Sequence, residues 1–145
     1  MTDEYQNDAI VVLWDPERCV RSGNCLRGMP AVFDPAASPW IRLQDADPRR
    51  VAEVVIDCPS GALHFRRLDG REDEVPSAPT AIQAVRNGPL YVRGDIEVTA
   101  ADNTLLRRDT RMALCRCGGS DNKPFCDNSH RTNGFQSGEA GQPSA

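Results

Sequence analysis

The chain has 145 residues, 39% of them hydrophobic, and a formal net charge of -4. That length allows one ordinary domain or two very small ones, and the acidic balance gives no general reason to expect nucleic acid as a partner. No segment approaches the roughly 20 apolar residues of a membrane span. The opening MTDEYQND lacks the basic and apolar regions of an export signal, so the expectation is a soluble, cytoplasmic protein without a membrane partner.

In chain order, Ile10 to Trp14 (IVVLW) reads as a buried strand. A loop from Cys19 to Cys25 follows, then a short helix near Leu26 to Met29 that stops before Pro30. Trp40 to Leu43 is a candidate second strand. Asp47-Pro48 opens a helix with an N-cap Asp and a Pro at the first helical position, and Val51, Val54 and Val55 give it an apolar face. Cys58-Pro59 breaks that helix, and Leu63 to Arg67 returns as a strand. Residues 70–79 (GREDEVPSAP) are charged, contain proline and have no apolar periodicity, which predicts a linker. Beyond it, Ala81–Val85, Leu90–Val92, Ile96–Val98 and Thr104–Arg108 are short strand-like runs. They are separated by turn chemistry at Asn87-Gly88-Pro89, Gly94-Asp95 and Ala101-Asp102-Asn103. The tail 136–145 (QSGEAGQPSA) is small and polar, with a disordered composition. The reading is an α+β chain: a first module over 8–69, the linker, and a β-rich second module over 80–135. Modules of about 60 to 70 residues have thin cores and usually depend on a disulfide, a metal or a partner.

Six cysteines in a chain without an export signal point away from disulfides, because the cytosol keeps thiols reduced. The second module concentrates Cys115, Cys117, Cys126 and His130 in CRCGGSDNKPFCDNSH. The C-x-C and C-x3-H pairs can each turn about a metal, while the residues between Cys117 and Cys126 arch over it. Gly118, Gly119 and Pro124 suit a tight path whose backbone N–H groups face sulfur. Spacing alone admits either zinc or an iron–sulfur centre.

This segment resembles the CDGSH iron–sulfur family, whose signature is C-x-C-x2-[ST]-x3-P-x-C-D-G-[ST]-H. Cys115, Cys117, Ser120, Pro124, Cys126, Asp127, Ser129 and His130 all stand at the required positions. Asn128 replaces the glycine. Asn tolerates a left-handed backbone better than most residues, so the turn is expected to survive. The resemblance covers roughly residues 80 to 135 and implies a [2Fe–2S] cluster with three cysteine ligands and one histidine. A histidine in place of a thiolate implies a raised potential and a sensitivity to pH.

In the first module, Cys19 and Cys25 form C-x5-C, and Cys58-Pro59 lies downstream. Three cysteines alone can be buried thiols, but a Pro directly after the last cysteine is a feature of bacterial ferredoxin sites, and Gly23 permits a sharp loop. Cys19, Gly23, Asn24, Cys25, Pro30, Val32-Phe33-Asp34 and Cys58-Pro59-Ser60-Gly61-Ala62-Leu63 together resemble small single-cluster ferredoxins. These include the divergent 4Fe–4S mono-cluster family and the ferredoxins that serve bacterial cytochromes P450. In ordinary [4Fe–4S] ferredoxins a further cysteine occupies the position of Ser22. Three thiolates suffice for [3Fe–4S], the favoured reading; [4Fe–4S] requires Ser22, water or an external ligand.

His64, Trp14 and Trp40 read as ordinary structural residues. Arg107, Arg108, Arg111, Arg116, Lys123 and Arg131 place positive charge near the C-terminal ligands, either as solvated surface or as a docking patch for an acidic redox partner. The functional expectation is a non-enzymatic, two-cluster electron carrier working with a reductase, an oxygenase or a cluster acceptor. The alternative is a cluster-delivery or redox-sensing protein. Single-motif members of the CDGSH family are often homodimers, which makes a homodimer a further expectation.

Overall fold

The computed structural model describes residues 2–138. The chain divides into two compact units, one built on the residues up to Val75 and the other from Pro76 onward, with Pro59–Gly61 grouped with the second. Among the described residues no helix is long and apolar enough to cross a membrane.

The first unit holds β1 (Asp3–Gln6), β2 (Ile10–Trp14), α1 (Asn24–Gly28), α2 (Pro48–Ile56) and β3 (Leu63–Arg67). The strands form an antiparallel sheet in the order β1-β2-β3. Alternation along β2 and β3 brings Val12 opposite Phe65 and Trp14 opposite Leu63, and Ile10, Val12, Leu63 and Phe65 enter one core with Val51, Val54 and Val55 of α2. The Asp47 carboxylate accepts a hydrogen bond from the Arg49 N–H at 3.1 Å, which caps α2 as the sequence predicts. The candidate strand at Trp40–Leu43 is reduced to a single bridge, Ile41 to Phe33, outside the named strands. β1 is a polar edge strand of mostly exposed residues, so it lacks the alternation that would mark it in the sequence.

The charged stretch after β3 starts by folding back on that strand. The Arg67 N–H donates to the Asp73 carboxylate at 2.7 Å, the Arg67 guanidinium pairs with Asp69 at 2.6 Å, and His64 Nδ1 lies 3.3 Å from Glu74.

The second unit is a sheet in the order β4-β5-β6, formed by β4 (Ala81–Ala84), β5 (Leu90–Thr99) and β6 (Leu105–Leu114). Gly94-Asp95, read as a turn from the sequence, is instead a bulge within one continuous β5, where the pairing with β6 shifts register between Arg93 and Ile96. Gly94 has φ +153°, and a Cβ there would stand 2.4 Å from Thr80 Oγ1. Only glycine suits both conditions, and turns and bulges share that chemistry. The core is small: Val92, Met112 and Phe125, with Ile96, Val98 and Leu114 against it. Of the expected tail, Ser137 donates its N–H to the Asn87 side chain at 3.0 Å and its hydroxyl accepts the Asn87 N–H at 2.8 Å; residues 139–145 lie outside the described residues.

Candidate metal centres

In the second unit β6 ends directly at Cys115. Residues 124–126 return alongside that end: the Cys115 N–H donates to the Pro124 carbonyl at 2.7 Å, and the Cys126 N–H to the Ala113 carbonyl at 2.9 Å. Leu114 and Phe125 form a bridge between these two bonds. Backbone pairing thereby brings Cys126 beside the C-x-C pair. Ser120 fastens the intervening arch. It is buried, donates its hydroxyl to the Phe125 carbonyl at 2.6 Å and accepts the Asn122 N–H at 3.0 Å.

Asp127 fixes the other end. Its carboxylate accepts from Ser129 Oγ at 2.6 Å, the Ser129 N–H at 3.0 Å and the Asp121 N–H at 2.9 Å. These bonds, that from the Ser129 hydroxyl foremost, hold its pKa below the usual carboxylate value. Asn128 then takes the left-handed conformation, φ 73° and ψ 5°, at the glycine position of the CDGSH pattern, and a 3-10 turn over Ser129–Arg131 carries His130 inward.

The four donors meet in two pairs. Cys115 Sγ lies 3.9 Å from Cys117 Sγ, and Cys126 Sγ lies 3.6 Å from His130 Nδ1. Metal–sulfur and metal–nitrogen bonds of about 2.3 and 2.0 Å at a tetrahedral angle require edges of about 3.8 and 3.5 Å. Each pair therefore has the spacing of two corners of a metal tetrahedron, and the donor set fits an iron–sulfur group. Among the described residues no three His, Cys, Asp or Glu side chains converge on one metal ion. Backbone N–H groups already face sulfur: Gly119 to Cys117 at 3.3 Å and Asn128 to Cys126 at 3.4 Å. The Gly119 bond is the leading reason the Cys117 thiol is shifted down towards the ligating thiolate, with Asn133 adding to it. Burial pushes Cys126 up. It also lowers His130, with the Arg131 charge adding to the effect, and so favours the neutral imidazole that binds metal.

The arginines around this centre are engaged in the fold. The Arg107 guanidinium lies 3.6 Å from the Phe125 ring centroid, and Arg108 reaches Asp95 at 3.2 Å and Glu97 at 3.6 Å. Arg111 is buried. Arg116, between two ligands, donates to the carbonyls of Val85 at 2.6 Å and Gly88 at 3.0 Å. A Cβ on Gly88 would stand 3.6 Å from His130 Nε2, so this clamped turn covers the side of the imidazole away from Cys126.

In the first unit Cys19, Cys25 and Cys58 line one cavity together with Ser22, Trp14 and Trp40. Cys19 follows a 3-10 turn, Cys25 sits in α1, and Cys58 lies just past α2. The Cys25 thiol is pushed up, first by burial and then by the neighbouring Cys58 and Cys19, so the three sulfurs share one electrostatic environment. Gly23, at φ 76°, makes the sharp loop. The Arg27 guanidinium clamps that loop by donating to the Ser22 carbonyl at 2.8 Å and Asn24 Oδ1 at 2.6 Å. Asn24 Nδ2 donates to the Asp57 carbonyl at 2.9 Å, tying α1 to the residue before Cys58. Ser22 Oγ accepts the Asn24 N–H at 3.3 Å. The cavity donors, three thiols and one hydroxyl, suit iron–sulfur ligation.

The clamping roles of Asn24 and Arg116 were not legible in the sequence, because each acts across about 30 residues of chain, and that of Arg27, though local, depends on a loop conformation that spacing does not encode. Ser120, Asp127 and Ser129 belong to the quoted signature, which marks their positions without giving their bonds.

Residues 87–131 match the family described as iron-binding zinc finger CDGSH type, and residues 5–68 match the divergent 4Fe-4S mono-cluster family. The chain is also 39% identical over 62 residues to the uncharacterized protein YjdI of Escherichia coli K12, covering 43% of this chain and 82% of that protein. The YjdI of Escherichia coli O157:H7 gives the same figures. The chain therefore belongs to the divergent 4Fe-4S mono-cluster family in its N-terminal half and to the CDGSH family in its C-terminal part, and it is an iron–sulfur protein.

Proposed function

We propose that this protein is a one-electron carrier with two centres: a [2Fe–2S] cluster on Cys115, Cys117, Cys126 and His130, and a second cluster on Cys19, Cys25 and Cys58. The observation that carries the reading is the pairing of the C-terminal donors at two tetrahedral edges, 3.9 and 3.6 Å. In that pattern Cys115 with Cys117, and Cys126 with His130, would each hold one iron of the cluster. A bound cluster supplies a one-electron couple; the chain supplies its fixed surroundings. Gly119 and Asn128 aim N–H groups at the ligating sulfurs, which favours the more negative, reduced state. Asp127 and Ser120 hold the ligand loop still, so little structure has to reorganise when charge arrives.

For the N-terminal centre, three thiolates complete [3Fe–4S] without further donors. The family description favours [4Fe–4S], with Ser22, which lines the same cavity, as a further donor. Cryogenic EPR distinguishes them: a signal from the oxidised protein denotes three irons, and a silent oxidised state denotes four. The partners are a reductase that delivers electrons and an oxygenase or similar acceptor that removes them.

A second reading, cluster delivery or redox sensing, is favoured by one observation: Cys115 and Cys117 are only half-buried, which leaves that side of the centre open to an acceptor. Incubation of the holoprotein with an apo-ferredoxin decides between the two. Rapid electron exchange with the cluster retained supports the carrier, and stoichiometric transfer of iron and sulfide supports delivery.

A further inference from the structure

We propose that the indole N–H of Trp40 is a built-in hydrogen-bond donor to the sulfur of the N-terminal cluster, and so a positioning residue that raises its potential. The proposal rests on reading Cys19, Cys25 and Cys58 as ligands of an iron–sulfur cluster.

Trp40 Nε1 is buried and has no hydrogen-bond partner. A buried indole N–H ordinarily finds an acceptor, because leaving it without one forfeits its hydration for nothing in return. The Trp40 ring lines the same cavity as the three cysteines, and an ionised sulfur is an acceptor for a charge-assisted bond. The ring is also held in place. The Trp14 and Trp40 rings meet at 65° with centroids 4.7 Å apart, Phe33 lies at 5.9 Å, and the Trp40 carbonyl accepts the Asp34 N–H at 2.8 Å. A donor fixed in this way, with its acceptor supplied only when the cluster is bound, is preorganised for that cluster. Reduction adds negative charge to the sulfurs and strengthens the bond, so the donor raises the potential.

The test is Trp40→Phe in the full-length holoprotein, which keeps an aromatic ring against Trp14 and Phe33 and removes the N–H with the pyrrole half of the side chain; water entering the freed space would raise the potential, opposite to the shift expected here. EPR-monitored redox titration should show the N-terminal cluster shifted to lower potential, with about a tenfold change in its oxidised-to-reduced ratio at fixed ambient potential. The C-terminal centre should titrate as in wild type, with iron and sulfide content unchanged. An unshifted N-terminal potential overturns the proposal. Should the variant lose its cluster, ultraviolet resonance Raman of a Trp14→Phe protein reads Trp40 alone. A hydrogen-bonded indole N–H in the holo form and a free one in the apo form supports the proposal, and a free N–H in both overturns it. A wild-type protein whose iron, sulfide and EPR account for the C-terminal centre alone removes the underlying reading, and the proposal with it; a two-cluster protein indifferent to Trp40→Phe refutes only the proposal.

Discussion

At the scale of single residues, the C-terminal donor cluster is held together by side chains outside its four donors. Ser120 is one of them, since its hydroxyl satisfies the Phe125 carbonyl just before Cys126. Ser120→Ala strands that buried acceptor and should cost about 1–3 kcal/mol, read as a lower thermal midpoint and faster cluster loss to a chelator. Its position was legible in the signature, but its partner, five residues along, was not. Asn128 shows the opposite case. The left-handed conformation expected of it is the one observed, φ 73°, because backbone sterics leave few residue types for that region. His130 carries the pH dependence. Burial lowers its pKa, so the neutral imidazole contributes stability that is fully present above the ordinary histidine value and is lost as pH falls through the lowered one. His130→Cys should weaken that acid-labile step and lower the cluster potential by at least about 100 mV. Absorbance during acidification and a redox titration check both, and equal lability with equal potential would contradict the assignment.

At the scale of elements, legibility followed the strength of the local signal. Strands β2 and β3 have the bounds expected from their apolar runs, and α2 begins where Asp47 and Pro48 place it. In each case burial and local propensity agree. Where elements depend on distant neighbours, the sequence misleads. Gly94-Asp95 has turn chemistry, yet the chain runs on as β5, paired with β6 on both sides of the bulge, and the glycine is needed because Thr80 lies where a side chain on residue 94 would go. Gly94→Ala should therefore destabilise the second unit by about 1–3 kcal/mol, measured as a lower denaturation midpoint. Close packing of the same kind joins α1 to α2, where a Cβ on Gly28 would stand 2.9 Å from Val54 Cγ2. That approach brings Cys25 and Cys58 onto one cavity, and nothing in the C-x5-C spacing announces it.

At the scale of the whole molecule, the two units draw on different sources of stability. The first buries an extended core around Ile10, Phe33, Ile41, Val51, Val54 and Val55. Among the described residues the second has a smaller cluster, centred on Val92, Met112 and Phe125, plus the hydrogen-bonded loop that carries its donors. Metal binding to such a site contributes directly to folding free energy. Chelation should thus unfold or loosen the second unit before the first, seen by hydrogen exchange as loss of protection in β5 and β6 while β2 and α2 stay protected. Simultaneous loss would show that the metal does not govern the second unit. The arginines bear on partners at this scale as well. Arg107 lies over Phe125 and the exposed Arg108 pairs with the exposed Asp95, contacts compatible with solvated surface and with a docking patch alike. Iron, sulfide and zinc analysis of the full-length protein decides whether one chain holds two iron–sulfur centres. Parallel measurements on Cys58→Ala and Cys126→Ala assign the metal to each half. The expected result is a coloured protein with iron and acid-labile sulfide, each variant losing one spectral component and keeping the other. A colourless protein with stoichiometric zinc and no sulfide would contradict it.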